Sequence, residues 1–328
     1  MTEINRLALI GVGHIAEYQL EALASSKRWT FVAASDPRVE RKSILPPDVL
    51  FFGSTEQLLG SVSADIFLVA TPNQSHYEIG QMVLARGANL LLEKPCCETQ
   101  GELVELTRLA NARNCIFAVA LHARYALDLL WFRDHYGELG LRLSDITRFE
   151  CNFYDPYIQD SSLRPGAASL GGSWFDSGIN ALSVVGSLIP PDIISVTGAR
   201  FTMADINGCS DSQSKVDFVY SLESGLGTGT IETSWTLGVN SKTTKLIFGR
   251  QGQEVLLDHT NEKVIVSQQG KFTRTIDLRT GRPRLVNHYV GVLDDVHDMY
   301  RKRETNLRYA AAIHRLLFDA ASFAHKQG

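Results

Sequence analysis

The first 120 residues alternate short apolar runs with stretches of helical spacing, and few folds accommodate that alternation. Leu7 to Val12, Thr30 to Ser35, Asp65 to Ala70, Leu90 to Glu93 and Ile116 to Leu121 read as buried strands. Between them, Ile79, Met82 and Val83 recur at helical spacing before Gly87, and Leu103, Leu106 and Ala110 do so before Asn114. Strands separated by covering helices are βαβ units, which predict a parallel sheet.

After Gly137 the pattern changes to strands with little intervening helix: Ile146 to Phe153, Ile193 to Thr202, Val216 to Leu222, Gly229 to Trp235, Lys245 to Phe248, Glu254 to Asp258, Val264 to Ser267 and Phe272 to Leu278. That spacing predicts an antiparallel sheet. One helical block, Asp176 to Leu188, interrupts it, and a last helix from about Asn306 to Ala324 carries Ala310, Ile313, Leu317 and Ala320 on one face, expected to pack back on another element. No repeat or low-complexity linker marks a boundary. The change of pattern alone divides the 328 residues into domains 1–122 and 123–328.

A net charge of -4 supplies no basic surplus for nucleic acid or an anionic membrane. The longest nearly apolar stretch, Cys115 to Phe132, contains His122, Arg124 and Asp128, which argues against a membrane span. At the N-terminus, Glu3 and Arg6 precede a short apolar run that Gly11, Gly13 and His14 interrupt, which is no secretory leader, so a cytoplasmic location is expected. Five cysteines (96, 97, 115, 151 and 209) without a CxxC pair fit reduced thiols. Adjacent Cys96 and Cys97 are expected to pack beside a strand end, and no metal site is expected.

Gly11, Gly13 and Ala16 form GxGxxA between the first strand and the next helix. The first glycine makes the tight turn, the second admits a pyrophosphate, and the small third residue lets helix meet strand. Backbone groups of Gly11, Gly13, His14 and Ile15 then line the phosphates. Asp36 ends the second strand 20 residues after Ala16, where a carboxylate bonds ribose hydroxyls. That carboxylate favours NAD, whereas Arg38 leaves NADP possible, by clamping a 2'-phosphate, or stacks on adenine. The other reading of Arg38 is a solvated charge among Glu40, Arg41 and Lys42. Thr71, Pro72, Asn73 and His76 follow the run ending at Ala70, and Glu93, Lys94 and Pro95 follow Leu92. Both segments lie outside carboxyl ends of strands, where open α/β sheets bind ligands. A plainer reading makes Asn73 a helix cap and Lys94 a surface charge, but the apolar run entering at Leu90 sets Lys94 at the rim of a cleft.

The ordered set GVGHIA, ATPNQSH, LLLEKP and GGSWFDSGIN resembles the glucose-fructose oxidoreductase and inositol dehydrogenase family, Gfo/Idh/MocA. The resemblance implies a Rossmann domain, a second domain with an open-faced, mostly antiparallel sheet, and hydride exchange between nicotinamide and a sugar or polyol. It also implies that Lys94 lies near the nicotinamide and the reacting oxygen, assisted by a later Asp and His. Here the sequence departs: Asp176 is followed four residues on by Asn180, not histidine. Asparagine exchanges no proton near neutral pH. FDSGINALS, residues 175–183, resembles the aldose 1-dehydrogenase branch, which oxidises galactose or arabinose at C1 and carries asparagine there, although that branch has proline where this chain has Ser177.

The resulting expectation is an NAD(P)-dependent sugar dehydrogenase that gives a lactone. Lys94 accepts the hydroxyl proton, Asp176 orients Lys94 or takes the proton onward, and Asn180 fixes a sugar hydroxyl. Glu150, Asn152 and Tyr154, alternating along one strand, join Arg124 and Trp174 in a sugar pocket. The alternatives are reduction of a keto or imino sugar, an inositol-type dehydrogenase, or a catalytically silent dinucleotide-binding regulator. Asp176 also reads as a simple helix cap, with Asn180 on an exposed face. Resemblance alone implies a homodimer or homotetramer.

Overall fold

The computed structural model describes residues 4–160, 162–203, 211–223, 225–249 and 252–325, and Cys209 lies outside them. The chain divides into two compact units, Met1–His122 with Leu285–Ala311 and Ala123–Arg284 with Ala312–Gly328. In the first, β1 (Asn5–Ile10), β2 (Trp29–Ser35), β3 (Leu50–Phe52), β4 (Ile66–Val69), β5 (Leu90–Glu93) and β6 (Phe117–Ala120) form a parallel sheet ordered 3-2-1-4-5-6. Its direction of growth reverses between β1 and β4, which opens a crevice at the carboxyl ends of the strands. Every residue of β4, β5 and β6 is buried, as their unbroken apolar runs require.

The first unit's early helices are α1 (Ala16–Ser25), α2 (Thr55–Ser61), α3 (His76–Ala85) and α4 (Gln100–Ala112). α4 starts at a capping box: the Glu102 N–H donates to the Thr99 hydroxyl and the Glu102 carboxylate accepts from the Thr99 N–H. Leu103, Leu106 and Ala110 form its buried stripe. β3 was not anticipated, since three residues carry no periodic signal.

The second unit begins with α5 (Leu127–His135) and β7 (Ile146–Tyr154), followed by the short pair β8 (Ile158–Gln159) and β9 (Ser162–Leu163). A π-helical turn, Trp174–Gly178, leads into α6 (Ile179–Gly186). Then come β10 (Ile194–Thr202), β11 (Gln213–Leu222), β12 (Gly225–Ser234), β13 (Ser241–Phe248), β14 (Gln253–Asp258), β15 (Lys263–Gln268) and β16 (Lys271–Asp277). The sheet order is 10-11-12-7-13-14-15-16, antiparallel throughout except that β7 pairs parallel with β12. β7 is inserted between β12 and β13, and a strand lying between two antiparallel neighbours must run parallel to one of them. The sheet is therefore mixed but mostly antiparallel, as expected.

Alternation gives this sheet two unlike faces. Phe149, Cys151 and Phe153 of β7 are buried, whereas Glu150, Asn152 and Tyr154 are partly exposed. The π-turn packs on the buried face. Ser173, just before it, has its hydroxyl 2.7 Å from that of Thr233, and Thr233 is paired with Phe153.

α7 (Arg284–Lys302) and α8 (Leu307–His325) close the chain. The sequence reading placed the segment 285–311 in the second domain, but it belongs to the first unit. Val286, Tyr289, Val292, Leu293, Val296 and Met299 bury one stripe of α7, and the Trp29 indole N–H donates to the Leu293 carbonyl at 2.9 Å. Among the described residues, no helix is long and apolar enough to cross a membrane.

Candidate functional site

In the first unit, β1 runs into Gly11 at φ +91°, where an added Cβ would lie 2.6 Å from the Ala70 carbonyl oxygen. Only glycine makes that turn. At Gly13 a Cβ would meet nothing nearer than the same oxygen at 4.0 Å, so the described residues leave space there for a ligand to approach the backbone. The N–H groups of Gly13, His14 and Ile15 make no hydrogen bond among the described residues. With α1 beginning at Ala16, they form an anion cradle at a helix N-terminus. His14 is exposed and Ile15 partly so.

Asp36, buried at the end of β2, accepts from the Val12 N–H at 2.9 Å through Oδ2. Its carboxylate also takes Arg38 side-on, with Nε to Oδ1 at 2.9 Å and Nη2 to Oδ2 at 3.0 Å. Burial works to raise its pKa, but the hydrogen bonds from Arg38 and Val12 outweigh it and hold the carboxyl below its ordinary value. Arg38 is thus an ion-pair partner rather than a free loop charge. Arg41, read as one of the solvated charges, is turned inward: its Nε donates to the Val12 carbonyl at 2.6 Å and its Nη2 to the Gly13 carbonyl at 3.0 Å. These features fit a dinucleotide, with the free N–H groups for the pyrophosphate and Asp36 for the adenosine ribose.

Two residues expected to touch the cofactor support the loops instead. His76 is buried, its Nδ1 2.7 Å from the Pro95 carbonyl oxygen and its Nε2 2.8 Å from that of Thr71. It ties the segment after β4 to the segment after β5. Burial holds its pKa below the usual histidine value, the two carbonyls opposing that shift and the Lys94 charge adding to it. Glu93 is also buried. Its Oε1 accepts from Gln19 at 2.8 Å and from the Tyr289 hydroxyl at 2.6 Å, and its Oε2 from the Lys94 N–H at 3.2 Å. Burial raises its pKa against the pull of those donors and of the Lys94 charge. Beyond these anchors Lys94 is partly exposed, with a cis peptide to Pro95. Thr71 and Asn73 are partly exposed and Pro72 exposed on the facing segment, where the Ser75 hydroxyl donates to the Thr71 hydroxyl at 2.9 Å. Cys96 and Cys97 are buried thiols outside any disulfide among the described residues, and burial pushes the first well up.

In the second unit, Asp176 and Asn180 are both buried, at 7% and 8% exposure, so neither sits on an open surface. Asp176 is the third residue of the π-turn, two residues before the Gly178 N-cap of α6, and its own N–H is bonded to the Gly172 carbonyl at 3.1 Å. The Asn180 amide donates to the Asp176 carbonyl at 3.0 Å, which leaves its Oδ1 buried with no hydrogen-bond partner among the described residues. An orphaned buried acceptor suits a ligand hydroxyl.

Sequence reasoning missed what holds this turn. Ser177 donates to Asp155 Oδ2 at 2.9 Å, and Lys242 Nζ donates to Asp155 Oδ1 at 2.7 Å, to Asn240 at 2.7 Å and to the Tyr154 carbonyl at 3.2 Å. Lys242, Asp155 and Ser177 are all buried. Burial lowers the lysine's pKa against the charges of Asp155 and Asp176. The Asp176 charge, followed by burial and Asp155, pushes the Tyr157 phenol far up. The signal for Lys242 was its phase: it shares the inward face of β13 with Thr244, Leu246 and Phe248, where a lysine needs a carboxylate partner.

The expected sugar pocket is not assembled as read. Trp174 is fully buried, its indole N–H donating to the Leu317 carbonyl at 3.0 Å, and a Cβ on Gly178 would lie 2.4 Å from its ring. It is a core residue. Glu150, Asn152 and Tyr154 lie on the sheet face opposite the π-turn, where Glu150 pairs with Arg148 at 2.8 Å and the Tyr154 hydroxyl donates to Asn152 at 3.0 Å. Arg124 lies over the Tyr125 ring at 5.5 Å.

Against known proteins, residues 5–121 match a family model described as an oxidoreductase family with an NAD-binding Rossmann fold. The rhizopine catabolism protein MocA of Rhizobium meliloti is 26% identical over 176 residues, 53% of this chain and 54% of that protein. Galactose 1-dehydrogenase of Pseudomonas fluorescens is 30% identical over 191 residues, 56% of this chain and 57% of that one. These alignments span about half the length of the curated relatives. The whole fold is similar to a crystal structure of an oxidoreductase from Agrobacterium radiobacter in complex with NAD+, L-tartaric acid and magnesium, with a TM-score of 0.82 at 15% identity, covering 99% of this chain and 98% of that one. With its glycine loop and Asp36, the stretch 5–121 thus matches the model of the Gfo/Idh/MocA oxidoreductase family and its NAD-binding Rossmann fold.

Proposed function

We propose that the protein is an NAD-dependent sugar dehydrogenase that oxidises an aldose at C1 to a lactone. The observation that carries this reading is the buried Asp176 and Asn180 pair, in which an amide with a free acceptor stands where the family more often has histidine. The similarity to galactose 1-dehydrogenase supports it.

Held by the N–H groups of Gly13, His14 and Ile15 and by Asp36, NAD would supply the hydride acceptor for C1. The chain's own residues then manage the proton and the hydroxyls. Lys94, on a loop fixed by Glu93 and His76, accepts the C1 hydroxyl proton as a neutral amine or relays it to water as the C–H bond breaks and the carbonyl forms. Asp176 carries negative charge that stabilises positive character developing at C1. Asn180 accepts a hydrogen bond from a neighbouring sugar hydroxyl through Oδ1. A homodimer or homotetramer in the cytoplasm completes the proposal.

Incubating the purified protein with NAD+ and a panel of aldoses and polyols, while following NADH absorbance, tests it. Turnover confined to aldoses supports the reading, and turnover confined to polyols rejects it.

A further inference from the structure

We propose that Arg41 is a positioning residue for the dinucleotide: it aims the peptide N–H groups that receive the pyrophosphate. Arg41 lies in the 3-10 segment Val39–Ile44 after β2, outside the glycine motif. Its guanidinium reaches two successive carbonyls, Val12 at 2.6 Å and Gly13 at 3.0 Å, and stands 3.6 Å from the Glu17 carboxylate.

The consequence follows from peptide geometry. In a planar trans peptide the C=O and the N–H of the same unit point in opposite directions. The Val12 carbonyl shares its plane with the Gly13 N–H, and the Gly13 carbonyl shares its plane with the His14 N–H. Holding both carbonyls on one fork therefore points both N–H groups the other way. Those are two of the three N–H groups that make no hydrogen bond among the described residues. The Asp36 carboxylate fixes the preceding plane through the Val12 N–H. Three consecutive peptide planes are thus held by two side chains that β2 and its following turn deliver, the Gly13 carbonyl also accepting from the Ala16 N–H at 3.3 Å. A glycine-rich loop left unbraced samples many orientations, and ordering it would be charged against nucleotide affinity. A planar fork suits the task better than an ammonium, because its donors have a fixed mutual angle.

The test uses the full chain with Arg41→Met, which keeps the stem and removes the fork, and Arg41→Gln, which keeps one donor. Affinity is read by NADH fluorescence titration, with ADP-ribose and adenosine as competitors. If Arg41 aims the cradle, Arg41→Met weakens NADH and ADP-ribose by about tenfold or more while adenosine changes by less than about threefold, and Arg41→Gln shows the same pattern at smaller amplitude. Unchanged NADH affinity in either variant overturns the proposal. So does an equal loss for adenosine and ADP-ribose, which would mean general damage to the unit. If Arg41→Met does not fold, Arg41→Gln alone decides between these outcomes.

Discussion

The glycine loop of the first unit and the π-turn of the second present different kinds of group to a ligand. The loop offers backbone: the N–H groups of Gly13, His14 and Ile15, with glycine where a side chain would intrude. The turn offers side chains, Asp176 and Asn180, supported in turn by Asp155, Ser177 and Lys242. Backbone donors recognise what every dinucleotide shares, so the loop tolerates any sequence that keeps its turn. A side-chain site recognises one arrangement of hydroxyls, and its supporting residues are buried charges that must all remain together. Nucleotide binding should therefore be robust to change in the second unit, and substrate chemistry sensitive to it.

The largest expected effect tests that asymmetry. Lys242→Met leaves Asp155 buried without its ammonium partner, and breaking a buried pair in this way costs about 3 to 5 kcal/mol. A fall in the urea midpoint with NADH affinity kept within about twofold sharpens the contrast between the units. An unchanged midpoint breaks it. Next in size is Lys94→Met, which preserves most of the stem volume and deletes the amine. Turnover is expected to fall by on the order of 10² or more with NADH binding intact. Near-normal turnover returns Lys94 to a surface charge.

How far the sequence could be read follows the same division. The glycine loop and Asp36 were legible because a tight turn, a close approach and a strand end are local constraints, each written within a few residues. Arg41 was not, since nothing nearby says that a charged residue will fold back 29 positions onto Val12. In the second unit the alternation along β7 was legible, but which of its faces the π-turn covers depends on pairing with β12 and β13, about 80 to 100 residues away. Glu150, Asn152 and Tyr154 therefore fall on the face away from the π-turn and from Trp174. Trp174, taken as a sugar platform, is enclosed because Gly178 one helical turn later leaves room for its ring. α7 carried a readable stripe from Val286 to Met299 and was overlooked.

Two smaller effects refine the comparison. Asn180→Ala removes the acceptor held for a sugar hydroxyl, so the sugar KM should rise by the equivalent of about 1 to 3 kcal/mol with kcat less affected. Wild-type KM would make Asn180 structural. Asp36→Ala removes a ribose acceptor and frees Arg38, so NAD should weaken relative to NADP by about 1 kcal/mol in a competition titration. Equal losses for the two nucleotides would place the ribose elsewhere.

The product of the reaction tests the central claim most directly. An aldose that supports NADH formation should be followed by NMR through a complete turnover. Oxidation at C1 predicts a lactone that opens slowly to the aldonic acid, with the other ring carbons unchanged. A ring ketone, with C1 still at the aldehyde oxidation level, would contradict the account and move the chemistry to another carbon.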